Sequence, residues 1–150
     1  MGNNLSKEMT TQEAISRFVH DGQTVICGNY TEGLPLSLIF EIIRQGKKHL
    51  TYYSQSGSWD SEFMAASGCV DKICSAFVTK WGGRRGGSMV ERYQRSGSLE
   101  VEDYSNFTYA ARVAAGAFGY SLMPVLPAIM LSNVFDVRGF MGQNKFGVIT

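Results

Sequence analysis

The segment Thr24-Val25-Ile26-Cys27-Gly28-Asn29-Tyr30-Thr31-Glu32-Gly33-Leu34-Pro35 runs from an apolar, β-branched stretch into two bare glycines and a proline. Glycine frees the backbone for close approach or for unusual dihedrals. Three demands fit such a turn. Tight strand-to-helix geometry asks for glycine alone. A dinucleotide loop asks for Gly-x-Gly-x-x-Gly, but here only Gly28 and Gly33 are present. The next strand-like run, "LTYYSQ", also lacks the closing acidic residue that holds a ribose. A backbone anion hole asks for N–H groups aimed at a developing acyl oxyanion. The donors for that third role are Gly28, Asn29, Tyr30 and Gly33.

Two further places carry chemistry. "KWGGRRGG" holds Arg84 and Arg85. It reads either as a solvated loop or as a cleft loop, since guanidinium grips carboxylate or phosphate bidentately. Trp59, followed by Asp60, either lines an acyl pocket or packs at a helix start. His20 and His49 stand apart from any Cys, His or carboxylate at metal-ligand spacing, so both read as surface or capping residues and no metal site is expected. Cys27, Cys69 and Cys74 form no CxxC pair and cannot all bridge within one chain. Buried, reduced thiols of a cytoplasmic protein are the plain reading.

The elements that must position these groups alternate. "TTQEAISRFVHDG" opens with a capping box, Thr10 to Glu13, and carries the stripe Ala14, Ile15, Phe18, Val19. "TVICG" is a short continuous apolar run, the mark of a strand buried on both faces. "PLSLIFEIIRQG" places Pro35 at a helix start and Gly46 at its stop, with Leu38, Ile39, Ile42 and Ile43 facing inward. Strands are expected near 23–28, 49–54 and 72–78, with a helix over "SEFMAAS" closed by Gly68. "MVERYQRSG" is a further helix and "LEVE" a further strand. A longer helix lies between Ser105 and Gly119. Alternating strands and helices imply an α/β fold, an open and mostly parallel, Rossmann-like sheet flanked by helices. "KFGVIT" reads as a strand on which the chain ends, so the sheet is expected to be incomplete at its C-terminal side.

Composition excludes several classes. With 150 residues, 44% apolar, 18% charged and a net charge of +1, the chain reads as one ordinary globular domain, not a disordered tail or a polycationic nucleic-acid binder. The acidic "EVED" after the Arg-rich loop also argues against nucleic acid. No apolar run is long enough to span a membrane, and "MGNNLSKEMTTQE" lacks the apolar core of a secretory signal.

Several segments, taken in order, resemble the α subunit of the family I CoA-transferases, most of all the glutaconate CoA-transferase branch. Asp21-Gly22, two residues, Val25-Ile26-Cys27, then Gly28-Asn29-Tyr30 and Pro35 resemble that family's N-terminal acidic-Gly, apolar, Gly-Gly-Phe and Pro pattern. "FEIIRQGKKHLT", "AASGCVDKI", "SGSLEVEDYS" and "AGAFGYSLMPV" resemble its later segments. The departures are Asn29 for the second glycine, Tyr30 for Phe, one residue fewer before Pro35, and Ser121-Leu122 for Pro-Phe. The resemblance implies that residues 1–150 form the N-terminal portion of a longer α-subunit-like domain. It implies a heteromeric enzyme that moves CoA between carboxylic acids through a glutamyl-CoA thioester. The nucleophilic glutamate is expected on a partner β subunit, since no Ser-Glu-Asn-Gly motif occurs here. Acyl-CoA and a carboxylate acceptor are the implied ligands, with coenzyme A as substrate and no separate cofactor. The alternatives are a related hydrolase opening a ring in an acyl-CoA catabolite, or a non-catalytic scaffolding subunit.

Overall fold

The computed structural model describes residues 7–27, 33–78, 87–124 and 148–149. Helix α1 (Thr11–Phe18) leads into strand β1 (Thr24–Ile26), then α2 (Leu36–Arg44), β2 (Leu50–Gly57), α3 (Trp59–Ser67) and β3 (Val70–Val78). α4 (Met89–Arg95), β4 (Glu100–Asp103) and α5 (Asn106–Phe118) follow, and then two short strands, β5 (Met123–Pro124) and β6 (Val148–Ile149). Strands β1 to β4 form one sheet in sequence order, every pair parallel. The α/β reading therefore stands. β5 and β6 form a separate antiparallel pair, so the strand read in "KFGVIT" is present but belongs to another sheet.

Local chemistry explains the helix ends. Thr10 Oγ1 accepts from the Glu13 N–H at 3.2 Å, and Glu13 Oε2 accepts from the Thr10 N–H at 2.9 Å. Ser105 and Thr108 make the same reciprocal pair at the start of α5. Caps of this kind contribute about 0.5–2 kcal/mol each. Gly68 and Gly119 close α3 and α5 in the left-handed region, at φ 66° and 72°.

The sheet separates two cores. On one face Tyr52, Leu50 and Ile73 meet Ile15 of α1, Ile39 and Ile42 of α2, Met64 of α3 and Val90 of α4. Those four helices form a continuous layer, each packed on the next. Strand side chains alternate, so Tyr53 points to the opposite face. There it joins Cys74, Tyr104 and Tyr109 beneath α5.

The differences from the sequence reading have physical causes. β1 is not buried on both faces. It has β2 as its one neighbour in the four-stranded sheet, and Ile26 is 54% exposed. A continuous apolar run does not distinguish an edge strand from a central one. β2 runs on to Gly57 because Ser56 and Gly57 pair with Phe77 and Val78. Pro35 caps α2 and does not begin it. Phe18, the last residue of α1, leaves the buried stripe and is 57% exposed. The "KWGGRRGG" loop apart from its last glycine, Gly87, and the whole stretch 126–144 lie outside the described residues.

Candidate functional site

Four parallel strands bring their carboxyl ends to one edge, where ligands of open α/β sheets collect. Cys27 stands there as the residue after β1, its N–H bonded to Tyr53 O at 3.1 Å. Gly28, Asn29 and Tyr30, which follow it, lie outside the described residues, as do Arg84 and Arg85. Gly33 is described. Its φ of 90° is a conformation that side chains disfavour, and a Cβ there would meet open space. That glycine is therefore required by backbone geometry and not by crowding. Trp59 opens α3, is 46% exposed, and stacks its ring on Phe63 at 6.0 Å between centroids. Phe63 in turn meets Phe40 edge-on at 5.1 Å.

Behind this edge the β2–α3 corner is built on a fully buried carboxylate. Asp60 Oδ2 accepts from the Tyr52 and Ser54 hydroxyls, each at 2.8 Å. Its Oδ1 accepts from the Ser58 N–H at 2.7 Å and the Ser58 hydroxyl at 3.4 Å. Four donors thus fill both oxygens, and the α3 N-terminus adds its positive end. Burial, and then the Asp60 charge, push the Tyr52 phenol far upward, so it stays a neutral donor. Burial likewise raises the Cys27 thiol. Gly57 fits only because it lacks a side chain: a Cβ would sit 2.3 Å from Ser61 Oγ. From the sequence, Trp59-Asp60 was expected either to line an acyl pocket or to mark a packed aromatic at a helix start. In the structure Asp60 is the strut of the corner. The readable signal was polar residues at alternate positions of β2, Tyr52 and Ser54, followed by Ser58-Trp59-Asp60.

Five of the described glutamates each hold a hydrogen bond or an ion pair, although one oxygen of Glu62, Oε1, is buried without a hydrogen-bond partner. Glu41 bonds Arg44 at 2.7 Å and Gln45 at 2.6 Å. Glu62 accepts from the Met89 N–H at 2.6 Å and so caps α4. Glu91 pairs with Arg95, and Glu100 with Lys72 at 3.1 Å. Glu102 is the most enclosed, with its side chain 3% exposed in the middle of the α5 face. Lys72 contacts it, Arg112 lies at 3.1 Å, and the Tyr104 hydroxyl donates at 2.6 Å. Cys74 Sγ lies 3.6 Å away. Arg112 is also stacked 5.6 Å from the Tyr53 and Tyr104 ring centroids. This network was not foreseen from the sequence. Its trace there is an inward-facing Glu102 on a strand and a single cation, Arg112, on an otherwise uncharged helix. Among the described residues no three His, Cys, Asp or Glu are grouped to hold a metal ion, and no helix is long and apolar enough to cross a membrane.

This fold is that of a known class. The family model for coenzyme A transferase matches residues 8–144. The chain belongs to the coenzyme A transferase family. It is 31% identical over 121 residues to the A subunit of the 3-oxoadipate CoA-transferase of Pseudomonas knackmussii, covering 77% of this chain and 42% of that one. It is 29% identical over 122 residues to the A subunit of the glutaconate CoA-transferase of Acidaminococcus fermentans, covering 81% and 38%. The crystal structure of glutaconate coenzyme A-transferase from the same organism superposes with a TM-score of 0.77 at 29% identity, over 89% of this chain and 42% of that one. The chain thus spans less than half the length of these relatives.

Proposed function

We propose that this chain serves as the α-type subunit of a heteromeric CoA-transferase, exchanging CoA between carboxylic acids. The observation that carries this is the family match over residues 8–144, together with the superposition on glutaconate coenzyme A-transferase. The two curated relatives are both A subunits, which supports a second kind of subunit here. Within this reading a glutamate of that partner attacks the acyl-CoA, and the thiolate of CoA then attacks the mixed anhydride to leave a glutamyl-CoA thioester. Glu41, Glu91, Glu100 and Glu102 are each held by a cation, which supports an external nucleophile, because a carboxylate so held is a poor attacking group.

The role of this chain is to line the acyl side of the cleft. The turn from Gly28 to Gly33, with Asn29 and Tyr30, offers backbone donors to the acyl oxyanion, and losing one such donor raises a barrier by roughly 2.7–4 kcal/mol. Trp59, Arg84 and Arg85 are proposed to border the same cleft. The test is to purify the chain with and without a β-type partner and to follow acyl transfer from acyl-CoA to a panel of carboxylates. Transfer is expected only with the partner, with a hydroxylamine-sensitive CoA ester on the partner chain. Gly28→Val should then lower kcat while the complex still forms. Turnover by the purified chain alone, or an ester on this chain, overturns the assignment. Hydrolysis without transfer to any acceptor would identify the related hydrolase instead.

A further inference from the structure

Asp103 stands where the four strands bring their carboxyl ends together. It is the last residue of β4, and its partner Ser75 is the last residue of β3 to pair with that strand. β3 itself runs on to Val78 and carries Phe77, 57% exposed, beyond this point. Strand side chains alternate, so Asp103 lies on the side of Val101, away from Glu102 and its cations. The neighbouring serine is occupied elsewhere. Ser75 Oγ donates to the Phe77 carbonyl at 2.7 Å and accepts from the Phe77 N–H at 3.2 Å.

Among the described aspartates Asp103 is the exception. Asp21 accepts from the Lys48 N–H at 2.8 Å, Asp71 pairs with His49 at 2.9 Å, and Asp60 has donors on both oxygens. Asp103 makes no hydrogen bond or ion pair among the described residues. It is nonetheless partly buried, and burial, with nothing to offset it, pushes its carboxyl above the ordinary value. A carboxylate is an acceptor only, and what this one lacks is a donor.

We propose that Asp103 reads the acyl chain of the acid: it accepts a hydrogen bond from a hydroxyl or ammonium group carried on that chain, and so favours acids bearing such a group over plain or dicarboxylic ones. This rests on the CoA-transferase reading above and names its substrate class. Ligands of open parallel sheets gather at the carboxyl edge, so the missing donor arrives with the ligand. A hydrogen bond to an ionised acceptor is short and about twice as strong as a neutral one. A partly desolvated acceptor also rejects the analogue that lacks the donor, because it is then left unpaired. A second carboxylate brings like charge to Asp103 and no donor. The exposed Phe77 ring on the neighbouring strand offers the hydrocarbon part of the acid an apolar surface.

The experiment uses butyrate, 3-hydroxybutyrate, 4-aminobutyrate and succinate. The unaltered chain is set beside Asp103→Ala, Asp103→Asn and, as a control at the opposite edge of the sheet, Asp71→Asn. On the chain alone, the carbon NMR signal of the Asp103 carboxyl is followed as each acid is added. It is expected to move saturably with 3-hydroxybutyrate or 4-aminobutyrate, and not with butyrate or succinate. With a β-type partner, kcat/KM for transfer to that substituted acid should exceed kcat/KM for butyrate by about tenfold or more, the value of one hydrogen bond to a charged group. Asp103→Ala should remove this preference with Tm retained, and Asp71→Asn should keep it. Asp103→Asn separates the two donors: its amide oxygen still accepts from a hydroxyl but lacks the charge that favours an ammonium. An Asp103 signal that stays still with every acid, or that moves equally with butyrate, overturns the proposal. So does a preference that survives Asp103→Ala. If no acid is a substrate while the Asp103 signal moves as expected, the transferase reading fails and recognition by Asp103 stands.

Discussion

The two faces of the sheet are held by different physics. The face under α1 to α4 is closed mainly by aliphatic and thioether packing, with Ile39, Leu50, Met64 and Ile73 fully buried, and its one enclosed carboxylate, Asp60, is confined to the β2–α3 corner. The face under α5 has Tyr53, Tyr104, Tyr109 and Cys74 around a buried Glu102, with two cations reaching in from the sides. Burial of an apolar side chain is non-directional and tolerant of small shifts. An enclosed carboxylate holds only while each partner keeps its place. The first face accordingly sets overall stability, and the second sets where α5 sits relative to the strands.

Ile42→Ala tests the first half of that contrast. The side chain is 1% exposed within the helix-layer core. Its removal costs about 2–5 kcal/mol through lost transfer energy and the cavity left behind. Equilibrium unfolding in denaturant should show this as a lower midpoint at unchanged slope. A loss well under that range would mean that the helix layer repacks and that the faces are less different than they look.

Glu102→Gln tests the second half and is expected to cost less, about 1.5–3 kcal/mol, the value of hydrogen bonds to a charged group. Lys72 and Arg112 have side chains 29% and 31% exposed, so each can turn to water when its counter-charge goes. The informative measurement is the double-mutant cycle with Arg112→Met, read by amide exchange in α5. Coupling between the two sites, with faster exchange in α5 and not in α2, is expected. Additive effects would remove the network as the support of α5.

The helix layer was legible in the sequence and the α5 face was not. Periodic apolar residues such as Leu38, Ile39, Ile42 and Ile43 reveal a helix and its buried side, and the Thr10–Glu13 box and Gly68 mark helix ends through local chemistry. Glu102 and Arg112 meet only because β4 and α5 fold back on one another, a contact that no local pattern encodes. β1 misled for a related reason: apolar content reports how much a strand could bury, and the position of Ile26 at a sheet edge is decided by strand order. At the candidate site, Gly33 could be read from its residue type, whereas the saturation of Asp60 depends on donors from β2 and from the turn before α3.

Alkaline titration probes the α5 face with a smaller effect, although the Tyr52 phenol and the Cys27 thiol of the other face are raised by burial as well. Burial pushes the Cys74 thiol from 9.0 up to about 11, and the Tyr53 and Tyr109 phenols from 10.0 to about 12. Each folded value lies above the unfolded one, so the neutral form favours folding. That contribution is complete below about pH 9 and is lost as pH rises through 11 to 12. Tyrosine ionisation followed by ultraviolet absorbance should lag that of an unfolded control, and Cys74 should react with disulfide reagents only as α5 opens. Prompt reaction of Cys74 at neutral pH would show the α5 face to be open already.

The smallest expected effect lies on the helix layer and runs in the acid direction. Hydrogen bonds from Arg44 and then Gln45 hold the Glu41 carboxyl down from 4.5 to about 2. Here the folded value lies below the unfolded one, so the charged form favours folding. Its contribution is present above about pH 4.5 and is lost as pH falls through 2. Arg44 is largely solvated, its side chain 58% exposed, and exposed ion pairs contribute little, so Tm should move only slightly across that window. The site itself should nonetheless report clearly. In a carbon-detected NMR titration Glu41 should titrate well below the ordinary carboxylate range, and Arg44→Ala should return it toward that range. Because Gln45 Nε2 also reaches Gln12 O in α1 at 3.0 Å, this pair joins α2 to α1 by directional bonds, as Asp60 joins α3 to β2 on the same face. If Arg44→Ala leaves the Glu41 titration unchanged, the bonds are absent in solution and α1 rests on α2 by apolar contacts alone. If the titration shifts while hydrogen exchange in α1 stays the same, the bonds form but do not hold the two helices together.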